Sequence, residues 1–123
     1  MFEILVKSQF NSAHQLRGYH GKCEELHGHN WLVEVRVRGE KLNETGLLVD
    51  FIVVKKHLRK VLETLDHKYI NDLPAFKTIN PTSENMARYI YEQLKSLLAE
   101  EHAQPASVSV WETDTSCATY SES

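Results

Sequence analysis

The sequence predicts an α+β fold, an antiparallel four-stranded sheet with two helices on one face. Three observations carry it. Apolar and polar residues alternate near both ends of the chain. The period becomes helical in the middle. The resulting order is strand, strand, helix, helix, strand, strand, which groups the strands around a helix pair. At 123 residues the chain has room for one core, so residues 1–123 are expected to form a single domain.

Each element has its own warrant. Phe2, Ile4, Val6, Phe10, Ser12 and His14 share one parity, and Glu3, Lys7, Gln9 and Asn11 hold the other, which marks a half-buried strand. A glycine-punctuated loop follows at Arg17-Gly18-Tyr19-His20-Gly21. From about His27 to Arg38 alternation resumes. His27, His29, Trp31, Val33, Val35 and Val37 face one way; Glu34, Arg36 and Arg38 face the other. Gly39 to Gly46 reads as a turn region. From Phe51 to Leu65 a helical stripe of Phe51, Val54, Leu58, Val61, Leu62 and Leu65 stands against Lys55, Lys56, Arg59, Lys60 and Glu63. After a loop from Asp66 to Pro81, the run Asn80-Pro81-Thr82-Ser83 supplies capping chemistry. Glu84 suits the positive end of a helix whose stripe is Ala87, Ile90, Tyr91, Leu94, Leu97 and Leu98. Strands at Ser107 to Glu112 and Cys117 to Tyr120 complete the sheet. Two open edges and one uncovered face favour a homo-oligomer.

Composition excludes several classes. Hydrophobic residues make up 41% and charged residues 25%, as in ordinary globular proteins. A net charge of −3 argues against nucleic acid as a partner. No apolar run approaches the roughly 20 residues that span a bilayer, so no membrane partner is expected. The start, Met1-Phe2-Glu3-Ile4, lacks the features of a signal peptide. Two cysteines are too few for a disulfide scaffold, and a cytoplasmic location follows as an expectation. Seven histidines are many for this length.

The histidines carry the chemistry. His27 and His29, at i and i+2, project from one strand face, and Gly28 between them leaves room for close approach. His14 ends the preceding strand on its apolar parity. If the strands pair, three imidazoles converge, and three histidines with an open position make a catalytic type of zinc site. Imidazole also suits iron, copper or nickel. His20 competes for the third place but sits in a loop. His57 reads as solvated, and His102 fits a helix C-terminus. Cys23, four residues before His27, is either a fourth ligand or a reactive thiol beside the cation. Cys117 reads as a small buried hydrophobe. Asp66-His67 is either a helix terminus or a proton shuttle. Glu112 continues the apolar row of Val108 and Val110, where a carboxylate needs partners such as two N–H donors of a heterocycle.

Phe10-Asn11-Ser12-Ala13-His14, Cys23-Glu24-Glu25-Leu26-His27-Gly28-His29-Asn30-Trp31, Gly46 to Phe51, Leu65-Asp66-His67, Asn80 to Asn85 and Trp111-Glu112-Thr113 resemble the 6-pyruvoyltetrahydropterin synthase family. The resemblance covers nearly the whole chain in order. Three residues between Cys23 and His27 resemble the bacterial 6-carboxy-5,6,7,8-tetrahydropterin synthases of queuosine biosynthesis; the pyruvoyl-forming enzymes have a longer insertion there.

The resemblance implies a tunnelling fold, in which subunits join sheets into a barrel, commonly a hexamer built as a dimer of trimers. It implies one Zn2+ per subunit on His14, His27 and His29. Cys23 would be the catalytic base, Asp66 and His67 its relay at a subunit interface, and Glu112 the anchor of the pterin ring and an aid to the relay. The implied reaction converts 7,8-dihydroneopterin triphosphate to 6-carboxytetrahydropterin, acetaldehyde and triphosphate. Elimination of triphosphate to the pyruvoyl product is the alternative within the family. Thr82, Ser83 and Glu84 at a helix start can offer donors to pterin or phosphate. Arg17, Lys22, Lys68 and Lys77 are candidate phosphate contacts. Asp114 stands where relatives are expected to have proline, and the acidic ending from Tyr120 reads as a free tail.

Overall fold

A computed structural model describes residues 1–18 and 25–122. The expectations for His20, Lys22 and Cys23 fall outside them. Strands β1 (Phe2–His14), β2 (His27–Gly39), β3 (Pro105–Thr113) and β4 (Ser116–Tyr120) form one antiparallel sheet in the order β1-β2-β3-β4. Helices α1 (Phe51–Leu62) and α2 (Ser83–Leu98) pack on one face of it. The fold class is therefore the expected one.

The alternation places the core. Val6 and Phe10 of β1, Trp31, Val33, Val35 and Val37 of β2, and Val108 and Val110 of β3 are buried against Val54, Leu58, Ile90 and Leu94 of the helices. Register follows from that burial, because a one-residue slip would turn every one of these side chains outward. Ser12 sits opposite His29 and His14 opposite His27. Val33 sits opposite Val110, so the next residue of that β3 face, Glu112, falls beside Trp31 and the histidines.

The helices depart from the expected boundaries in one place. Asp50 caps α1 by accepting from the Ile52 N–H at 2.8 Å. The helix stops at Leu62 rather than Leu65, because Thr64 Oγ1 and the Thr64 N–H both turn back onto the Val61 carbonyl. Leu65 remains buried beyond the helix end, while Phe51, expected in the stripe, is exposed at its start. Thr82 caps α2, its hydroxyl accepting from the Asn85 N–H at 3.1 Å.

Three further expectations are corrected. His57 is not solvated: its side chain is mostly buried, with Nε2 3.5 Å from Glu101. Cys117 is exposed, because its parity points to the uncovered sheet face beside Trp111. The acidic ending is not free. Glu122 accepts from Lys95 Nζ and from the Tyr120 hydroxyl, both at 2.9 Å, and this holds it against α2. His102 stands at the helix C-terminus as expected, where it ends a 3-10 turn at Ala99–Glu101 that continues α2, in a left-handed conformation with φ 55°. At Asp114 the β3–β4 hairpin closes without a proline, with the Thr115 N–H on Thr113 Oγ1.

Candidate metal centre

The outer edge of β1 is sealed along its second half, and this sets up the site. The N–H groups of Asn11 and Ala13 in β1, and of Gln15 and Arg17 just past its end, turn to the segment that follows α1. They donate to Asp66 Oδ1, the Lys68 carbonyl, Asn71 Oδ1 and Asn80 Oδ1, at 2.8 to 3.1 Å. The chain after α1 thus runs beside β1 and takes the place of a neighbouring strand. It carries Pro81 to the end of β1, where His14 sits fully buried.

Three rings and one carboxylate meet there. The ligand-type atoms of His14, His27, His29 and Glu112 all lie within 4.8 Å of one another. His14 Nε2 stands 2.9 Å from His27 Nε2 and 3.3 Å from Glu112 Oε1; His29 Nε2 stands 3.8 Å from the same oxygen. Trp31 lies beneath, edge-on to His14 and His29, with its indole N–H held by the Ser12 carbonyl.

The hydrogen bonds decide which nitrogens hold lone pairs. His14 Nδ1 donates to the Pro81 carbonyl and His27 Nδ1 to the Glu25 carbonyl, both at 2.7 Å. Carbonyls only accept, so both protons sit on Nδ1 and each neutral ring turns a bare Nε2 inward. Burial favours the neutral form of His14 and of His29, and it outweighs the Glu112 carboxylate, which acts the other way on both, and the Pro81 carbonyl on His14. His29 Nε2 is buried with no hydrogen-bond partner among the described residues. One proton can serve one pair of nitrogens. Four converging electron-pair donors are satisfied together only by a cation. Backbone acceptors behind the rings are the usual outer support of metal-bound histidine. Nitrogens each about 2.0–2.1 Å from a tetrahedral zinc lie about 3.4 Å apart, a spacing these atoms can reach with small shifts. The residues present therefore fit a divalent transition metal.

The structure brings His14, His27 and His29 together as expected and adds Glu112 to them as a fourth donor. That proximity was legible in the shared parity of Val108, Val110 and Glu112. The two carbonyls behind the rings were not, since a backbone acceptor leaves no mark in the sequence. Asp66 and His67 are outside the cluster. Asp66 Oδ2 lies 3.1 Å from His67 Nδ1, and His67, in a left-handed conformation, donates its N–H to the Asn11 carbonyl with its ring exposed. The Asn11 N–H, then His67, hold the Asp66 carboxyl below its ordinary range. The helix-terminus reading stands beside the shuttle reading: the Asp66 N–H still donates to the Leu62 carbonyl, and His67 follows in a left-handed conformation. Thr82, Ser83 and Glu84 open α2 directly after Pro81. Arg17, a candidate phosphate contact, is spent otherwise: its guanidinium donates to the carbonyls of Ile79, Asn71 and Phe76.

Known proteins share this arrangement of chain. The family model for 6-pyruvoyl tetrahydropterin synthase matches residues 3–123. A Synechocystis protein named 6-carboxy-5,6,7,8-tetrahydropterin synthase is 40% identical, covering 98% of this chain and 93% of its own. Its namesake from Haemophilus influenzae is 32% identical, covering 99% and 100%. A Pyrococcus furiosus dihydroneopterin monophosphate aldolase is 34% identical, covering 89% and 88%. The solved structure of Caenorhabditis elegans 6-pyruvoyl tetrahydropterin synthase superposes with a TM-score of 0.89 at 32% identity, covering 99% and 96%.

Proposed function

The chain belongs to the 6-pyruvoyl tetrahydropterin synthase family, and on that premise we propose that it is a zinc-dependent carbon–carbon lyase. With one water, it would convert 7,8-dihydroneopterin triphosphate to 6-carboxy-5,6,7,8-tetrahydropterin, acetaldehyde and triphosphate, a step of queuosine biosynthesis carried out in the cytoplasm. The observation that carries the reading is the inward convergence of three imidazole nitrogens and one carboxylate on a partnerless buried Nε2. The short spacing from Cys23 to His27 and the names of the Synechocystis and Haemophilus relatives favour the carboxy-forming reaction.

In this reading His14, His27 and His29 hold the ion. When bound, zinc would act as a Lewis acid on side-chain oxygens of the substrate. Cys23 takes the proton from the substrate carbon, as a thiolate in an electropositive setting. Glu112 accepts N–H groups of the pterin ring, which fixes the ring face against the thiolate. Asp66 holds the His67 ring through Nδ1 and leaves Nε2 to exchange the proton with solvent. In the described chain that pair stands on the β1 edge, away from the four donors, so its relay role requires a second copy of the subunit. The free edges support such a copy. By the same two-residue period, the N–H groups of Glu3, Leu5, Lys7 and Gln9 point outward, and among the described residues they meet no acceptor. A homo-oligomer, a hexamer in the family pattern, follows from this reading. Thr82, Ser83 and Glu84 remain proposed contacts for the pterin, with the Thr82 hydroxyl already engaged as a cap.

The test is to incubate purified protein with 7,8-dihydroneopterin triphosphate and assay acetaldehyde, with and without a chelator. Acetaldehyde that chelation abolishes is the expected result. Triphosphate release without acetaldehyde would instead assign the pyruvoyl-forming reaction, and acetaldehyde production unaffected by chelation would overturn the metal reading.

A further inference from the structure

The position of His14 depends on the Pro81 carbonyl, and that carbonyl belongs to a loop with little regular structure. What fixes it is a set of side chains acting as a surrogate strand. Asn71, 5% exposed, accepts the Gln15 N–H on Oδ1 at 2.9 Å and returns Nδ2 to the Gln15 carbonyl at 2.8 Å. Asn80 repeats the pattern two residues on, with 2.8 Å from the Arg17 N–H and 2.9 Å to the Arg17 carbonyl. Asn85 Nδ2 reaches back from α2 to the Asn80 carbonyl at 2.9 Å. The Arg17 guanidinium gathers the carbonyls of Asn71, Phe76 and Ile79 from the same loop. An amide side chain presents one donor and one acceptor side by side, so it can pair with a peptide unit as a strand does. Pro81 therefore follows a residue tied through its side chain to Arg17, three residues past β1, and through its backbone to α2.

We propose that Asn80, with Arg17 and Asn71, is a positioning device for the metal centre. These side chains set the Pro81 carbonyl against His14 Nδ1 and thereby aim His14 Nε2 at the ion. The inference rests on the reading that the three histidines hold a divalent cation. Outer partners of metal-bound histidine typically alter affinity by about 10- to 100-fold, and here the device acts one step further out. An effect near the lower figure is expected.

The experiment compares wild type, Asn80→Ala, Asn80→Asp and a control, Thr64→Ala. The control removes a hydroxyl bonded to the Val61 carbonyl and to Tyr89, remote from the centre. Zinc Kd is measured by competition with a chromophoric chelator, the visible spectrum of the cobalt(II)-loaded protein is recorded, and melting of the apo protein is followed by circular dichroism. Asn80→Ala should weaken zinc about tenfold and alter the cobalt spectrum. Asn80→Asp, which keeps the acceptor and loses the donor, should fall between it and wild type. Thr64→Ala should lower the melting temperature and leave Kd and spectrum alone. Wild-type Kd and spectrum in Asn80→Ala, or an equal change in Thr64→Ala, would overturn the proposal. If Asn80→Ala yields no folded protein, Arg17→Lys decides, since one ammonium cannot reach all three carbonyls: weaker zinc supports the device and an unchanged Kd rejects it. Failure of the wild type to bind zinc would sink the metal reading itself, whereas wild-type binding matched by the variants sinks only the positioning role.

Discussion

At the scale of single residues, Asp66 is where local electrostatics can be read as stability. Its carboxylate accepts the Asn11 N–H and faces His67, and both hold its pKa below the ordinary carboxylate value. A group depressed in the folded state stabilises above its unfolded pKa of about 3.9 and loses that contribution as pH falls through the folded value. The side chain is about a quarter exposed, so the contribution is modest, about 0.5–1 kcal/mol. Asp66→Asn should therefore lower the melting temperature of chelator-treated protein at pH 7, and the gap to wild type should narrow as the pH falls below about 4. Melting curves across that range check it; a gap that widened in acid would contradict the assignment. The residue scale is also where sequence reading ran shortest. His57 and Arg17 look solvated or free because long polar side chains give no clue to their partners. In the structure one meets Glu101 across the helix pair and the other binds three carbonyls distant in the chain.

At the scale of elements, period and capping chemistry were reliable guides. β1 and β2 bury the central residues that their alternation marks, Val6, Phe10, Trp31, Val33, Val35 and Val37, while Phe2 is exposed at the start of β1 and Glu34 of the other row is buried; α2 starts where Thr82 can accept the Asn85 N–H. The end of α1 was less legible. Its apolar stripe continues to Leu65, but Thr64 diverts the Val61 carbonyl and Ser12 Oγ binds the carbonyl of Leu65, a contact between residues 53 apart. The cap at Thr82 separates two roles. Thr82→Ala should cost about 1 kcal/mol of stability, seen as a lower denaturation midpoint, with kcat/KM within about threefold of wild type if the hydroxyl serves α2 alone. A loss of kcat/KM beyond tenfold in folded protein would show that the hydroxyl also meets the substrate.

At the scale of the whole molecule, the sheet is covered on one face only. The other carries Leu5, Leu32 and Trp111 among polar neighbours, with Glu34 buried between the Trp111 indole and Lys7. Leu5 is outward in its N–H as well as in its side chain, so proline there removes no hydrogen bond made within the described chain. Leu5→Pro should leave the monomer fold intact by circular dichroism and reduce the assembled mass by at least half in light scattering. A wild type that runs as a monomer at micromolar concentration would refute the shared-subunit reading of Asp66 and His67. Assembly is the part of the site that sequence alone shows least, since alternation reports which side chains are covered within one chain and is silent on what an uncovered edge meets.

The filled half of that edge acts as a doorstop. β1 is 13 residues long, yet a strand arriving alongside it can advance only until it meets the segment seated at Asn11. In the proposed oligomer the plug would set how far a partner's strand overlaps, and that strand's end would lie beside the carboxyl–imidazole pair.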